Sequence, residues 1–298
     1  MSGFRTVGQY VAAHDNGQKW FTQFRKLVAS AATVQNAWID YTYSGGSPSA
    51  NFYASAPLEA AHVETARGLY VPTVAPAKQF LKNLMVMTLS PVSTSGPNGR
   101  QMLILADYLL YYPFIDTDAV GEQQDLENST ATIPRYSAGR VVAVGQSASS
   151  AIGTFTFTYT NQDGVPGRAS PANSTFIIGG GGHVVGASDV GASYTPFLGL
   201  QAGDSGVQSI QSVTMSVAGG GLMCLVIVQP LLTATVTQEC RRDGTALVSY
   251  GAADEFSSLI HHQPPEIIDG AVLGILAAGF AGSLASSTLV GNIETIWN

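Results

Sequence analysis

The sequence predicts an α+β fold that is mainly β: a β-sandwich or jelly-roll-like domain with an N-terminal helix and a buried hairpin as its base. Three patterns indicate this fold. Large apolar residues recur at helical spacing near the N-terminus, two apolar segments flank an Asn-Gly turn, and from about residue 138 the chain alternates with period two between Gly-rich turns. At 298 residues, the chain is long enough to bury a large core.

The N-terminal helix is predicted within residues 15–40. Its apolar residues lie three or four positions apart, as on one face of an amphipathic helix, and Asp15 or Asn16 precedes them as a candidate N-cap. These apolar residues are Trp20, Phe21, Phe24, Leu27, Val28, Val34 and Trp38. A second, short helix is predicted at 58–69.

The hairpin is predicted from two apolar segments, 77–92 and 100–115. The pair Asn98-Gly99 between them favours a tight turn, because both residues tolerate positive φ. We expect this helix and hairpin to form an α+β base over residues 1–137. We expect the segment 237–298 to return to that base.

The β-sandwich is predicted over residues 138–236. Threonine and aromatic residues alternate in its clearest strand, so they face opposite sides of a sheet. The threonines are Thr154, Thr156, Thr158 and Thr160, and the aromatic residues are Phe155, Phe157 and Tyr159. Short strands of this kind between Gly-rich turns are typical of sandwiches and jelly rolls.

Charge and composition exclude several classes of function. A net charge of −7 and a pI near 5.1 argue against nucleic acid as a partner, because phosphates require a basic surface. The apolar tract 270–285 is too short and too Gly-rich for a membrane span, and the N-terminus lacks the apolar region of an export signal. Only 11% of residues are charged, against about 25% in a typical protein. We therefore expect the weakly charged stretch 169–240 to pack closely against other protein.

The tetrapeptide Gly203-Asp204-Ser205-Gly206 raises the possibility of a serine hydrolase. It matches the sequence around the nucleophile of trypsin-like proteases, and His62 and Asp107 precede it in the chain order of that triad. The flanking sequence does not match, since a helix and a loop precede His62 where that family has strands. We interpret GDSG as a turn, Asp107 as a strand residue satisfied by hydrogen bonds, and no residue as catalytic.

Other motifs also have a structural interpretation. The loop 116–127 places Asp116, Asp118, Gly121 and Glu127 at calcium-loop positions, but Val120 offers no side-chain oxygen and Pro113 prevents an entering helix, so we expect a solvated acidic loop. The glycines 179–182 predict a turn rather than a phosphate site. His261 and His262 are adjacent and chelate poorly, and Cys224 and Cys240 have no zinc-finger spacing. We predict no cofactor and no metal.

Four stretches between residues 100 and 290 resemble virion structural proteins of tailed bacteriophages, of the capsid decoration, cement or minor capsid type. They are "LADYLLYYPFIDTD", "TIPRYSAGRVVAVGQ", "FTFTYTNQDGVPGR" and "DGAVLGILAAGFAGSL". The resemblance implies a non-enzymatic protein, made in the host cytoplasm and incorporated into the virion. Its implied partners are copies of itself and the major capsid protein or other virion proteins.

Three alternatives stay open. The first is a tail, baseplate or connector component, because such proteins share the same Gly/Ser/Thr-rich β composition. The second is the hydrolase with His62, Asp107 and Ser205. The third is a carbohydrate-binding module with Tyr159, Tyr194 and Phe197 as exposed aromatic residues.

Overall fold

The computed structural model describes residues 4–27, 38–90, 101–175, 181–182, 184, 186–187, 195–236, 239–243, 246–249, 254–257, 264–279 and 288–298. Within them lie the helix α1 (Val7–Asp15), a 3-10 turn at Thr65–Arg67, and the strands β1 (Lys19–Lys26), β2 (Trp38–Asp40), β3 (Gly46–Ser47), β4 (Gln79–Ser90), β5 (Gln101–Asp116), β6 (Gln123–Asp125), β7 (Arg140–Gly145), β8 (Thr154–Asn161), β9 (Arg168–Ala169), β10 (Asn173–Thr175), β11 (Gly186–Ala187), β12 (Val207–Val217), β13 (Leu222–Val236), β14 (Glu239–Asp243), β15 (Ala246–Ser249), β16 (Asp254–Ser257), β17 (Glu266–Ile267), β18 (Leu273–Gly279) and β19 (Thr288–Trp297). The fold is mainly β with an N-terminal helix, as predicted.

These strands form three sheets. The central sheet has the order β2-β18-β5-β13-β7. The sandwich sheet has the order β11-β10-β8-β12-β6, with β9 beside β8. The base sheet has the order β15-β14-β4-β19-β1-β3, with β16 and β17 also on β4. Neighbouring strands are antiparallel except for β14 and β4, which are parallel.

The long strands β5 and β13 carry two cores on one face of the central sheet. At one end, Tyr112 and Ile115 pack with Phe157 and other residues of the sandwich sheet, in what we call the sandwich core. At the other end, Leu103 and Leu105 pack with residues of the base sheet, in the base core. Both outer sheets therefore depend on the same two strands.

A β-bulge keeps both cores on one face. Leu109 has no partner in the register of β5 with β13, where Tyr108 pairs with Val228 and Leu110 pairs with Ile227. The extra residue shifts the alternation by one position. The core-facing residues are consequently odd-numbered up to Asp107 and even-numbered from Leu110 to Tyr112.

The opposite face of the central sheet is also buried. Ile104, Ala106 and Tyr108 lie on it and pack with Tyr53 and Val63 from the segment between β3 and the 3-10 turn. Because both faces of β5 are buried, its sequence is apolar at nearly every position and does not alternate between apolar and polar residues. The clear alternation predicted for β8 is confirmed, since Phe155, Phe157 and Tyr159 are fully buried in the sandwich core.

The predicted helix at 15–40 is wrong in position. The helix lies earlier, at Val7–Asp15, where the Thr6 hydroxyl accepts from the Gln9 N–H. Residues Lys19–Lys26 instead form a strand whose whole length pairs with β19. The spacing of Trp20, Phe21 and Phe24 fits a helix, but pairing with a distant strand overrides this local preference. Val28 and Val34 lie outside the described residues.

Two other local predictions differ from the structure. In the predicted helix 58–69 only Thr65–Arg67 is helical, as a 3-10 turn, because Glu59 and Ala61 form β-bridges with Glu127 and Tyr111. The two apolar strands of the predicted hairpin exist as β4 and β5, but they belong to different sheets. Each is bonded on both edges to strands from elsewhere in the chain, and the Asn98-Gly99 turn lies outside the described residues.

The predicted division at 137/138 and 236/237 stays a prediction. The central sheet takes strands from all three predicted segments, and the base sheet takes β19 from the last of them. In the described part of the chain, no helix has the length and hydropathy that crossing a bilayer requires.

The close approach of β19 to its two neighbours β4 and β1 generates a stability prediction. A Cβ at Gly291 would overlap the Met85 backbone oxygen and lie 2.8 Å from Phe24 Cζ, so we expect Gly291→Ala to lower the free energy of unfolding by about 1 to 3 kcal/mol. Gly8→Ala on α1 is the control, since a Cβ there meets nothing nearer than 3.8 Å. Urea unfolding of both variants measures the difference. Equal stability of the two variants would contradict the packing described for the base sheet.

Candidate functional site

Asp107, the candidate acid of the triad, is a buried structural carboxylate. Its Oδ2 accepts from Arg135 Nε at 2.8 Å, and its Oδ1 accepts from Arg135 Nη2 and from the Val272 N–H, both at 2.8 Å. Burial raises the pKa of Asp107, whereas the hydrogen bonds and charge of Arg135 act in the opposite direction. This bidentate pair lies on the core-facing side of β5, between the base core and the sandwich core.

His62 and Ser205 do not join Asp107. The His62 side chain is exposed, and its Nε2 lies 2.7 Å from the Thr132 carbonyl oxygen. Ser205 is exposed in the loop before β12, where its N–H donates to Gln162 Oε1 at 2.9 Å. Among the described hydrogen bonds, none connects two of these three residues. The geometry therefore assembles no nucleophile, base and acid from them.

The GDSG tetrapeptide is a turn held by its aspartate. Asp204 Oδ2 accepts from the Tyr159 hydroxyl at 2.7 Å and from Arg168 Nε at 2.9 Å, and its Oδ1 accepts from Asn161 Nδ2 at 2.8 Å. These hydrogen bonds, with that of Arg168 the strongest influence, lower the pKa of Asp204 to about 2. Asp204 thereby fastens the loop before β12 to β8 and β9.

The acidic loop uses several of its carboxylates for its own conformation. Asp116 Oδ1 accepts from the Asp118 N–H at 2.8 Å, Asp118 Oδ1 accepts from the Gly220 N–H at 2.9 Å, and Glu127 Oε1 accepts from the Ser129 N–H at 2.6 Å. The carboxylate side chains of the loop are exposed. In the residues the structure describes, no group of three or more His, Cys, Asp or Glu side chains is arranged to hold a metal ion.

The remaining motifs lie in packed or undescribed positions. Gly181 and Gly182 touch the ring of Tyr43, because a Cβ at Gly181 would lie 2.6 Å from Tyr43 Oη. Cys224 is buried in the central sheet, and burial raises the pKa of its thiol. Gly179, Gly180, His261, His262 and the Cys240 side chain lie outside the described positions.

Of the aromatic residues considered for carbohydrate binding, the two that the structure describes form no exposed platform. Tyr159 is fully buried, and burial raises its pKa to about 12. Phe197 is covered by the guanidinium of Arg140, which lies 5.3 Å from the ring centroid. Tyr194 falls outside the described positions.

The structure contains a cluster of buried polar residues around Asp40 that no pattern in the sequence predicts. Asp40 Oδ1 accepts from the Tyr108 hydroxyl and the Thr42 N–H, both at 2.8 Å, and the Tyr53 hydroxyl donates to Asp40 Oδ2. Burial raises the pKa of Asp40, although these hydrogen bonds lower it. The nearby Lys26 donates to the carbonyl oxygen of Pro48, and burial lowers its pKa to about 8. The cluster fastens the segment after β2 to the central sheet.

The exposed residues on and beside β1 differ from these satisfied groups. We call Lys19, Trp20, Phe21, Arg25 and Tyr70 the β1 surface. Trp20, Phe21 and Tyr70 are 43%, 51% and 60% exposed, although aromatic side chains of this size are usually buried. Lys19 and Arg25 are exposed at either end of the same strand. Lys19, Phe21 and Arg25 lie on one face of β1, and Trp20 lies on the other face beside Tyr70. Exposed aromatic rings with charged residues nearby are typical of protein interaction surfaces.

Local contacts fix the β1 surface in place. The Trp20 and Tyr70 rings meet edge to face, with centroids 5.9 Å apart. Trp20 Nε1 donates to Thr22 Oγ1 at 3.0 Å, and Thr22 Oγ1 donates to the Tyr70 carbonyl oxygen at 2.5 Å. A groove of about 570 Å³ runs beside them, lined by Thr22, Gln23, Tyr70 and residues of the neighbouring loops. Ordered rings beside a groove lose little conformational entropy when a partner binds.

The buried pair of Asp107 and Arg135 generates a prediction for stability. Arg135→Met leaves the Asp107 carboxylate buried without its partner, so we expect the free energy of unfolding to fall by about 3 to 5 kcal/mol. Adding Asp107→Asn removes that charge and should restore most of the loss, while its amide oxygen still accepts from Val272. Urea unfolding of the single and double variants measures both steps. A double variant as unstable as Arg135→Met would contradict the assignment.

The lowered pKa of Asp204 predicts a pH dependence. Its ordinary value is 3.8 and its folded value is about 2, so the stabilisation is present above about pH 4 and is lost as the pH falls through 2. We expect the difference in melting temperature between wild type and Asp204→Asn to narrow from pH 5 to pH 2. The exposed Asp163→Asn is the control for general acid effects. A difference that stays constant with pH would rule out the charged network.

Comparison of the chain with protein-family models, with curated proteins and with solved structures gave no match in any of the three.

Proposed function

We propose that this protein is a non-enzymatic structural component of a tailed-bacteriophage virion, which associates with copies of itself and with the major capsid protein. The observation that carries the proposal is the β1 surface, where Trp20 and Tyr70 are exposed on one face of the edge strand β1 and Phe21 is exposed on the other face, with Lys19 and Arg25. Exposed aromatic residues on both faces of an edge strand favour a role in binding other protein. The resemblance of the middle of the chain to virion proteins supplies the kind of assembly.

The structural roles of three aspartates, among them the triad candidate Asp107, support the same proposal. Asp107 and Asp204 are engaged by arginines, and Asp40 is surrounded by hydroxyl groups within a buried cluster. These carboxylates hold strands and loops together, which is a structural role. The low charge of 11% also agrees with a surface that is partly covered in an assembly.

Sedimentation velocity of the purified protein, alone and with shells of the major capsid protein, tests the proposal. We expect self-association that depends on concentration, and saturable co-sedimentation with a fixed number of copies per capsid subunit. Self-assembly into rings or tubes without binding to shells would favour the tail or connector alternative. A strict monomer that ignores shells would overturn the proposal.

The variant Phe21→Ser tests the β1 surface within that experiment. Phe21 is 51% exposed and belongs to none of the described core clusters, so its removal should leave the fold intact and weaken self-association or shell binding at least tenfold. Val165→Ser is the matched control, because Val165 is 47% exposed in the turn after β8. If Phe21→Ser equals wild type in both measurements, the β1 surface is not the contact.

A further inference from the structure

Strand β1 has an open edge over half of its length. The carbonyl oxygen of Gln18 accepts from the Trp297 N–H of β19, whereas the Leu27 N–H donates to the Gly45 carbonyl oxygen beside β3. Because backbone groups alternate in direction along a strand, the even-numbered residues of β1 point their N–H and C=O groups toward β19 and the odd-numbered residues point theirs away from it. On that side, β3 covers only Arg25 and Lys26. In the described part of the chain, the backbone N–H and C=O groups of Phe21 and Gln23 therefore have no strand partner.

Strand β6 has a second open edge, in the sandwich sheet. It pairs on one side with β12 over Gln123, Gln124 and Asp125. The Leu126 N–H donates to Gln211 on β12, whereas the Glu127 N–H points the other way, to Leu58. The alternation therefore directs the backbone groups of Gln123 and Asp125 outward, and no described residue pairs with them there.

The two edges match in spacing and in charge. Phe21 and Gln23 are two residues apart, as are Gln123 and Asp125. The outward-pointing backbone groups of the two edges can therefore form consecutive pairs of hydrogen bonds between two strands. Lys19 and Arg25 flank the first edge, and Glu122, Asp125 and Glu127 flank the second. All five of these side chains are exposed, and none of them takes part in a described ion pair with another of the five.

Both edges also have exposed apolar residues beside them. Trp20 and Phe21 adjoin the first, and Val120, 47% exposed, lies in the acidic loop before the second. Open edges with apolar neighbours are normally protected in free proteins, because they template the addition of another strand. The described part of the protein has two such open edges, one flanked by positive and one by negative side chains, which indicates that each edge binds a strand of another molecule.

The two edges cannot meet within one molecule. β1 belongs to the base sheet, whose core includes Leu103 and Leu105 near the start of β5, and β6 follows the end of β5 at Asp116. The base core lies at one end of β5 and the sandwich core at the other, and the 16 residues of β5 span at most about 50 Å at 3.3 Å per residue, so the two edges lie toward opposite ends of the central sheet. The complementary edge must come from another molecule.

We propose that the β1 edge of one copy pairs with the β6 edge of a second copy, so that the chain assembles head to tail. This inference rests on the proposed function and specifies its self-association. The contact uses two different surfaces, so each added copy leaves one edge open for the next copy, and growth ends only if a ring closes. Backbone hydrogen bonds join the two strands, and the aromatic residues of β1 add buried apolar area. The opposite charges that flank the two edges determine which edge pairs with which.

Charge reversal with complementation tests the contact. One variant carries Lys19→Glu and Arg25→Glu, and the other carries Glu122→Lys and Asp125→Lys. Each variant alone should associate at least tenfold more weakly than wild type in sedimentation velocity at low salt, and an equimolar mixture should recover association, because opposite charges face each other again at every contact. Asp163→Lys is the control for a charge change elsewhere and should match wild type. Circular dichroism and thermal melting show whether each variant is folded.

The outcomes separate this inference from the proposed function. Variants that associate like wild type, or a mixture that stays as weak as its components, would overturn the head-to-tail contact and leave self-association itself intact. A wild type that never self-associates would overturn both the contact and that part of the proposed function. Co-sedimentation of the same sample with shells then reports separately on capsid binding.

A proline variant tests the backbone hydrogen bonds of the proposed contact without altering charge. Gln23→Pro removes an N–H that points to the open edge, and proline is tolerated at such positions of edge strands, so β1 should still pair with β19. Gln23→Ala keeps the N–H and is the matched control. We expect a tenfold or greater loss of association for Gln23→Pro and none for Gln23→Ala. Equal association of the two folded variants would exclude strand addition at β1.

Discussion

The hydrogen-bonded pairing of β5 with β13 is the interaction on which the other parts of the structure depend. It runs from Gln101 and Val236 at one end to Asp116 and Leu222 at the other. The base sheet packs on the first end of this ribbon, and the sandwich sheet packs on the second end of the same face. A change in its register by one residue would turn the apolar side chains of both cores to the opposite face. The bulge at Leu109 is therefore as important to the fold as the apolar residues themselves.

Buried carboxylates hold this arrangement at points where apolar packing alone is not specific. The pair of Asp107 and Arg135 lies where one core gives way to the other, Asp40 fastens a long segment to the far face, and Asp204 fastens a loop to β8. A charge in such surroundings is costly unless hydrogen bonds compensate it. In each case the compensating groups come from other strands or segments. These residues look like catalytic candidates in a sequence because the same residue types serve both purposes.

The sequence predicts best what depends on near neighbours in the chain. The alternation of Thr154–Asn161 determines which side of β8 is buried, and the turn at Asp204 follows from its residue types. The patterns that predict the helix at 15–40 and the hairpin at Asn98-Gly99 are as clear as that of β8. The structure differs from both predictions because β1, β4 and β5 pair with strands more than a hundred residues away, and this pairing outweighs the local spacing of apolar residues. Arg135 as the partner of Asp107 has no local signal at all, and neither has the β1 surface, since exposed and buried aromatic residues look alike in one sequence.

The position of β19 has a consequence for how the protein is made. This strand lies between β4 and β1 in the base sheet, although nearly the whole described chain separates it from β1. During translation β1 and β4 emerge early, whereas β14, β16, β17 and β19, which pair with β4, all lie beyond residue 238, so the base sheet forms only after most of the chain has been synthesised. Such long-range pairing makes folding slow and leaves nascent strands open to pairing with neighbouring chains. Shielding of strand edges on the nascent chain would thus raise the fraction of the protein that reaches its native state.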